Sequence, residues 1–274
     1  MNARTHSLSI LFTVMLGVCA GAPAQAQTDP DAYKPTVGQP GKDAVWVPTS
    51  PALVEKMLDL AKVTPADFVM DLGSGDGRNV IAAAKRGARG IGVEYNQDLV
   101  TLSNRAAARE GVADKAKFVQ GDMYAADIAP ATVLALFLLT ENLDRMVPKF
   151  LAMKPGSRIV ANTFGISGWT PDETEKIEAE CTNWCTALLW IVPARVEGTW
   201  RLPRGELALK QNFQMLSGTL SGKPIQDGRL RGDQIRFSID DVQFEGRVAG
   251  DVIEGTATSS GSKTSWKATR AQRP

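Results

Sequence analysis

Glycines 73, 75 and 77 punctuate the run Val69-Met70-Asp71-Leu72-Gly73-Ser74-Gly75-Asp76-Gly77-Arg78, which leaves a short apolar stretch and enters a helical period. Glycine lets the backbone turn sharply and approach a ligand where a Cβ would intrude. A strand-to-helix turn of this kind lies at the carboxyl edge of an open α/β sheet, the edge at which such sheets bind ligands. A dinucleotide fingerprint fits poorly, because counting G-x-G-x-x-G from Gly73 puts Arg78 where the third small residue should pack helix on strand. Asp71 and Asp76 also crowd negative charge where a pyrophosphate would sit on helix amides. A cationic ligand suits these carboxylates better.

The surrounding period supports the same sheet. Phe68 to Leu72, Gly90 to Glu94, Ala116 to Gly121, Thr132 to Leu139 and Ser157 to Asn162 read as strands. Between them lie helical stretches from Asn79 to Arg86, Gln97 to Arg109 and Leu143 to Met153, the last ended by Lys154-Pro155-Gly156. A further helix opens at Ser50-Pro51, with serine as N-cap and proline in the first turn. Such alternation implies a doubly wound, largely parallel sheet. After Pro193 glycine-punctuated alternation replaces helices. Gly218 to Ile225, Gly228 to Ile235 and Gly246 to Ile253 repeat one strand-turn-strand pattern. Residues 195–270 therefore read as an antiparallel meander of about seven or eight strands, a small barrel or a curled sheet. The divisions expected are 1–26, a removable leader; 27–48, an extended arm; 49–193, the α/β domain; and 194–274, the β-rich domain.

The leader reading rests on Arg4 and His6 before the apolar run Leu8 to Ala20 and the small-x-small triplet Ala24-Gln25-Ala26. It implies a periplasmic or secreted protein, or a cytoplasmic one if the true start lies downstream. The run is short for a bilayer span, so no stable membrane span is expected after its removal. Cleavage there takes away one basic residue of 31 and none of the 30 acidic ones, a balance that gives no argument for nucleic acid. His6 is the sole histidine, so no histidine base and no metal site is expected beyond the leader. Cys181 and Cys185, four positions apart, read equally as a disulfide across a hairpin or as two free thiols.

Asp71-x-Gly73-x-Gly75-x-Gly77 resembles motif I of the class I, seven-strand methyltransferases. The resemblance implies a Rossmann-like methyltransferase sheet and S-adenosyl-L-methionine as cofactor. It also implies that Glu94, at the end of the second strand, holds the ribose hydroxyls and that Asp122, after the third, lies near the adenine amine. Over about residues 45–193, Val47-Pro48-Thr49, the loop Asp71 to Arg78, Gly92-Val93-Glu94-Tyr95 and Lys154-Pro155-Gly156 followed by Trp169 resemble the small protein-lysine methyltransferases of archaea and mitochondria. The cofactor set implied is Pro48, Thr49, Asp71, Gly73, Ser74, Gly75, Gly77, Glu94, Tyr95, Asp122 and Met123. Two departures mark the acceptor side: Thr140-Glu141-Asn142 stands where a Leu-Pro-like turn is expected, and Asn162-Thr163 where a Ser-His pair is common.

The acceptor implied is a protein lysine or another small amine. Glu141, Asn142 and Tyr124 are the catalytic candidates: Glu141, Tyr124 and also Asp122 are the nearest groups for orienting the amine or taking its proton, and Asn142, Asn162 and Trp169 are candidates for lining its pocket. A second class of function stays open: an exported ligand-binding module that keeps the fold without the chemistry.

Overall fold

The computed structural model describes residues 33–178, 181–203 and 205–271; the leader reading falls outside them. Seven strands form one sheet: β1 (Phe68–Leu72), β2 (Arg89–Glu94), β3 (Ala116–Gln120), β4 (Val133–Leu136), β5 (Arg158–Asn162), β6 (Glu173–Lys176) and β7 (Thr186–Ile191). Their order is β3-β2-β1-β4-β5-β7-β6. All neighbours are parallel up to β5, and β7 runs antiparallel to both β5 and β6. Four helices accompany the sheet: α1 (Pro51–Leu60), α2 (Arg78–Lys85), α3 (Gln97–Arg109) and α4 (Thr140–Phe150). None of the described helices is long and apolar enough to cross a membrane.

Alternation within the strands builds two cores. Val69, Val133, Ala135 and Val160 face α1, which presents Leu53, Met57 and Leu58, while Met70, Leu72, Leu134, Leu136 and Ile159 face α4 through Leu143, Met146 and Phe150. This is a sheet buried on both faces, and its central strands are apolar for that reason. Ser50 caps α1, its Oγ accepting from the Leu53 amide at 3.3 Å. The Asn96 Oδ1 caps α3 by accepting from the Asp98 amide at 2.8 Å.

Two elements differ from the sequence reading by three residues, and the other expected strands and helices agree to within one. The fourth strand stops at Leu136 rather than Leu139, because Phe137 and Leu138 leave the sheet to line a cavity. The following helix begins at Thr140 and ends at Phe150, three residues ahead of the expected Leu143 to Met153. Strands β6 and β7 had no counterpart in that reading.

The C-terminal strands close into a barrel. They are β8 (Gly198–Leu202), β9 (Gly205–Asn212), β10 (Met215–Leu220), β12 (Gln226–Arg231), β13 (Gln234–Ile239), β14 (Val242–Ala249), β15 (Val252–Ser259) and β16 (Ser262–Arg270), with a two-residue β11 (Lys223–Pro224) on β10. Pairing runs from β10 through β12 to β16, then β8 and β9, and back to β10. The glycine turns of the repeat join β12 to β13 at Gly232 and β14 to β15 at Gly250. Trp200, Leu207, Leu230, Ile253 and Ala268 fill the interior, with Phe237 stacked on Phe244 at 4.8 Å and Trp266 edge-on to both.

The barrel docks at the amino end of the sheet, away from the carboxyl edge. Gly232 abuts Gly156, just ahead of β5, and its carbonyl accepts from the Ala194 amide at 2.8 Å. Phe213 stacks on the buried Trp169 at 4.9 Å. Asp172, whose side chain is fully buried, accepts from the Ile191 amide and from the Arg229 guanidinium, both at 2.8 Å. Truncating one partner of a buried charged pair leaves the other desolvated and unpaired. Arg229→Ala, which strands the buried Asp172 carboxylate, is therefore expected to lower stability by about 2–4 kcal/mol, and Asp172→Ala by less because the Arg229 it leaves unpaired keeps access to water. Urea unfolding of the two variants checks the order.

Candidate active site

A cavity of 490 Å³ opens at the carboxyl edge where β1 and β4 diverge, the switch point of the strand order. Its floor is the glycine loop. The Gly73 and Ser74 amides both bond the Val93 carbonyl, at 2.8 and 3.1 Å, and the Gly75 amide donates to Glu94 Oε2 at 2.9 Å. Glu94 Oε1 accepts from the Asn96 amide at 2.9 Å. The carboxylate at the end of β2 thus braces the loop after β1 while lining the cavity.

Of the residues expected to hold cofactor, Pro48, Thr49, Asp71, Gly73, Ser74, Gly75, Glu94, Tyr95, Asp122 and Met123 all line this one cavity. Gly77 does not. A Cβ there would lie 2.6 Å from the Phe118 ring and 2.9 Å from the Ser103 Cβ, so this glycine serves the seating of α2 on α3 and β3. At Gly75, with φ of +54°, a Cβ would meet Trp46 Nε1 at 2.7 Å. The close approach that the loop was expected to make to a ligand is thus made here to an indole.

Trp46 belongs to the arm before α1, which folds back on itself. The Gly38 amide bonds the Trp46 carbonyl and the Trp46 amide bonds the Gln39 carbonyl, each at 2.9 Å. The fold-back lays Lys42 over the cavity, 3.0 Å from Asp122 and within 6 Å of the Tyr95 and Tyr124 ring centres. Arg78 ties the other side together, bonding both oxygens of Asp76 and the carbonyl of Thr49. The residue that spoils the dinucleotide fingerprint is a strap between the loop and the start of α1.

Asp71 is wholly buried. Desolvation pushes its carboxyl well above the usual range and the nearby Glu94 and Asp76 charges add to the rise, opposed by a 3.0 Å bond from Asn79 Nδ2. Asp122 moves the other way: its carboxyl is held below the usual range by the Tyr124 amide at 2.8 Å and by Lys42. Ser74 Oγ and Asn79 Oδ1, both on the lining, are buried without a protein partner. Unpaired acceptors and a costly buried carboxylate fit a ligand that brings donors and positive charge, as S-adenosylmethionine does.

The three catalytic candidates Glu141, Asn142 and Tyr124 lie off the lining, whereas Asp122 is on it. Asn142 Nδ2 donates to the Tyr124 hydroxyl at 2.8 Å, and Arg145 stacks on that ring at 3.7 Å. Glu141 is exposed, because α4 buries Asn142, Leu143, Met146 and Phe150 and turns Glu141 to solvent. Asn162 is buried behind the cavity, donating to Thr49 Oγ1 at 3.2 Å. Trp169 anchors the barrel instead of the acceptor pocket. Sequence reasoning passed over Lys42, Trp46, Asn79, Phe137 and Leu138. Only Trp46 left a signal, a lone indole in a Pro/Gly-rich arm.

A seven-strand sheet of this order, with a glycine loop, an acid ending β2 and another following β3 around one cavity, defines a class I S-adenosylmethionine-dependent methyltransferase. The ANTKMT methyltransferase domain family matches residues 71–173. A protein-lysine N-methyltransferase of Saccharolobus islandicus is 40% identical over 136 residues, 48% of this chain and 84% of that one. The adenine nucleotide translocase lysine N-methyltransferase of Mus musculus is 34% identical over 46% of this chain, and the match spans 56% of the mouse protein's length. The solved structure of an RNA methyltransferase from Salinibacter ruber, in complex with S-adenosyl-L-homocysteine, is 40% identical and superposes with a TM-score of 0.52, covering 55% of this chain and 96% of that one. The chain belongs to the methyltransferase family that these relatives share, and the barrel lies beyond the residues that the family model matches.

Asp71→Asn separates binding from stability. In the ligand-free protein the unfolded chain releases the Asp71 proton at lower pH than the folded one. Stability therefore falls as pH rises through that interval, and removing the carboxyl removes the loss. The variant is expected to have a higher Tm than wild type at neutral pH and a cofactor affinity about ten- to a hundredfold weaker. Calorimetry and thermal melts of the same preparations check both.

Proposed function

We propose that this methyltransferase modifies the side-chain amine of a protein lysine. The observation that carries the reading is the charge of the cavity. Among the described residues, Asp43, Asp71, Asp76, Glu94 and Asp122 line it against only Lys42 and Arg78 as cationic side chains. An acid-rich cavity attracts a protonated lysine and repels a phosphodiester. The lysine methyltransferase activity of the Saccharolobus islandicus relative supports the same acceptor. An RNA acceptor, as the Salinibacter ruber relative's name suggests, is the second reading.

When bound, S-adenosylmethionine supplies an electrophilic methyl on a positively charged sulfur. Glu94 and the glycine loop would orient its ribose and amino-acid ends, with Asp122 beside the adenine once Lys42 yields. Phe137 and Leu138 form the wall toward β4 and keep water off the reacting face. The amine must attack as a free base, and an apolar wall favours that form by disfavouring the ammonium. The amine nitrogen would take the methyl that the bound donor supplies, with the electron pair of the broken S–C bond left on sulfur, and the surplus proton would pass to solvent. The chain's part is alignment, which is worth orders of magnitude in rate.

The compartment belongs to the same proposal. The structure joins Cys181 to Cys185, and a disulfide supports delivery to an oxidising compartment, periplasmic or secreted. Assembly of the glycine loop and the acids around one cavity favours an active enzyme over a binding module that has lost its chemistry.

Transfer of a labelled methyl group from S-adenosylmethionine to lysine peptides is the test, run beside arginine peptides and RNA oligonucleotides. Transfer to lysine is expected, with a rate that rises from pH about 7 to 9 as the acceptor ammonium loses its proton. Transfer to RNA alone overturns the lysine assignment.

A further inference from the structure

Three aromatic rings run from the cavity wall to the surface. Phe137, on the lining, stacks on Phe164 at 6.1 Å with 16° between planes, and Trp184 lies tilted against the same Phe137 ring at 6.0 Å. Trp184 is 42% exposed and joins none of the hydrophobic cores. Its backbone is left-handed, with φ of +55°, an unfavourable conformation for a bulky residue. Two constraints hold it there. The Cys181–Cys185 disulfide encloses it in a short loop, and the Ile177 amide bonds the Cys185 carbonyl at 2.9 Å where β6 and β7 join. The β7 side is pinned to the carboxyl end of β5 by the Thr163 amide on the Thr186 carbonyl at 2.7 Å.

We propose that Trp184, Phe137 and Phe164 form the aromatic entrance through which the acceptor's alkylammonium chain reaches the methyl donor, with the disulfide loop holding Trp184 in place. The proposal rests on the lysine reading above and names the residues that would recognise the side chain. Aromatic faces attract an ammonium that has shed part of its water, and their hydrocarbon tolerates the methyl groups that accumulate on it. Continuity with the cavity is supplied by Phe137, whose ring belongs to both. The three rings carry no charge of their own, so selection by π faces is separate from the carboxylates deeper in.

The test compares full-length wild type, Trp184→Ala, Trp184→Phe and the double variant Cys181→Ser with Cys185→Ser. Lysine-peptide methylation is measured alongside titration of S-adenosylhomocysteine and, separately, of butyltrimethylammonium. Trp184→Ala is expected to raise the peptide KM about tenfold, with kcat within about twofold and S-adenosylhomocysteine affinity unchanged. Trp184→Phe should recover most of the loss, and the double serine variant should share it. Butyltrimethylammonium should bind wild type and not Trp184→Ala. A wild-type KM in Trp184→Ala, or a parallel fall in S-adenosylhomocysteine affinity, overturns the proposal. If wild type methylates no lysine peptide, the lysine reading fails on its own. The butyltrimethylammonium titration then decides the entrance: binding lost with Trp184 supports it, and no binding to wild type overturns it.

Discussion

The bond from the Gly75 amide to Glu94 holds the site in its shape. It joins the loop leaving β1 to the end of β2, and the second oxygen of the same carboxylate caps the turn into α3 through Asn96. With both oxygens committed to backbone amides, Glu94 is oriented before any ligand arrives and presents its remaining lone pairs to the cavity. The adjoining glycines are required by this arrangement in different ways. At position 75 the backbone conformation and the Trp46 indole exclude a side chain, whereas at 77 the packing of α2 against Phe118 and Ser103 does so.

From this brace the cavity is closed by segments distant in sequence. The arm contributes Trp46 over the loop and Lys42 on Asp122, and Arg78 fastens the loop to Thr49. The ion pair of Lys42 with Asp122 is exposed, and such pairs contribute little to stability. Donation to Asp122 by a ligand amine would replace it at small cost. The barrel sits at the other end of the sheet, secured by Asp172, Trp169 and Gly232. It can influence chemistry only through the body of the sheet or through what it holds outside.

What the sequence disclosed follows the range of the interactions involved. The glycine loop was legible because its spacing reports a local turn at a strand end, Glu94 and Asp122 because the family resemblance marks the acids that end the second strand and follow the third, and the barrel because its glycine turns repeat. The apolar periods of β1 to β5 placed the sheet. Strand β6 was not legible: Glu173–Lys176 is charged and mostly exposed, and it pairs only because β7 offers an edge. Helix α4 was misplaced because its start carries no side-chain cap and Pro148 lies inside it. Trp46, Lys42 and Phe137 were missed because their positions depend on fold-back and on where β4 leaves the sheet. No local pattern encodes either.

The absence of histidine after position 6 bears on how the chemistry is done. After the fifth strand, where the family resemblance leads one to expect a Ser-His pair, this chain has Asn162-Thr163, and the structure puts both to structural use. Asn162 donates to Thr49, and Thr163, in a left-handed conformation, accepts from the Thr186 amide through its hydroxyl. Tyr124 and Asn142 bond each other, and Glu141 faces water. The three catalytic candidates are thus committed to one another or to solvent, and Asp122 on the lining is held by Lys42 and the Tyr124 amide. Under the lysine proposal, deprotonation of the amine would fall to desolvation, which an aromatic and aliphatic wall supplies and a polar one would weaken. The carboxylates on the lining come from the loop, the end of β2, the turn after β3 and the arm, and Phe137 with Leu138 adds an apolar wall. Under the lysine proposal, that combination would let one cavity hold a positive donor and release a proton from an incoming ammonium without a dedicated base.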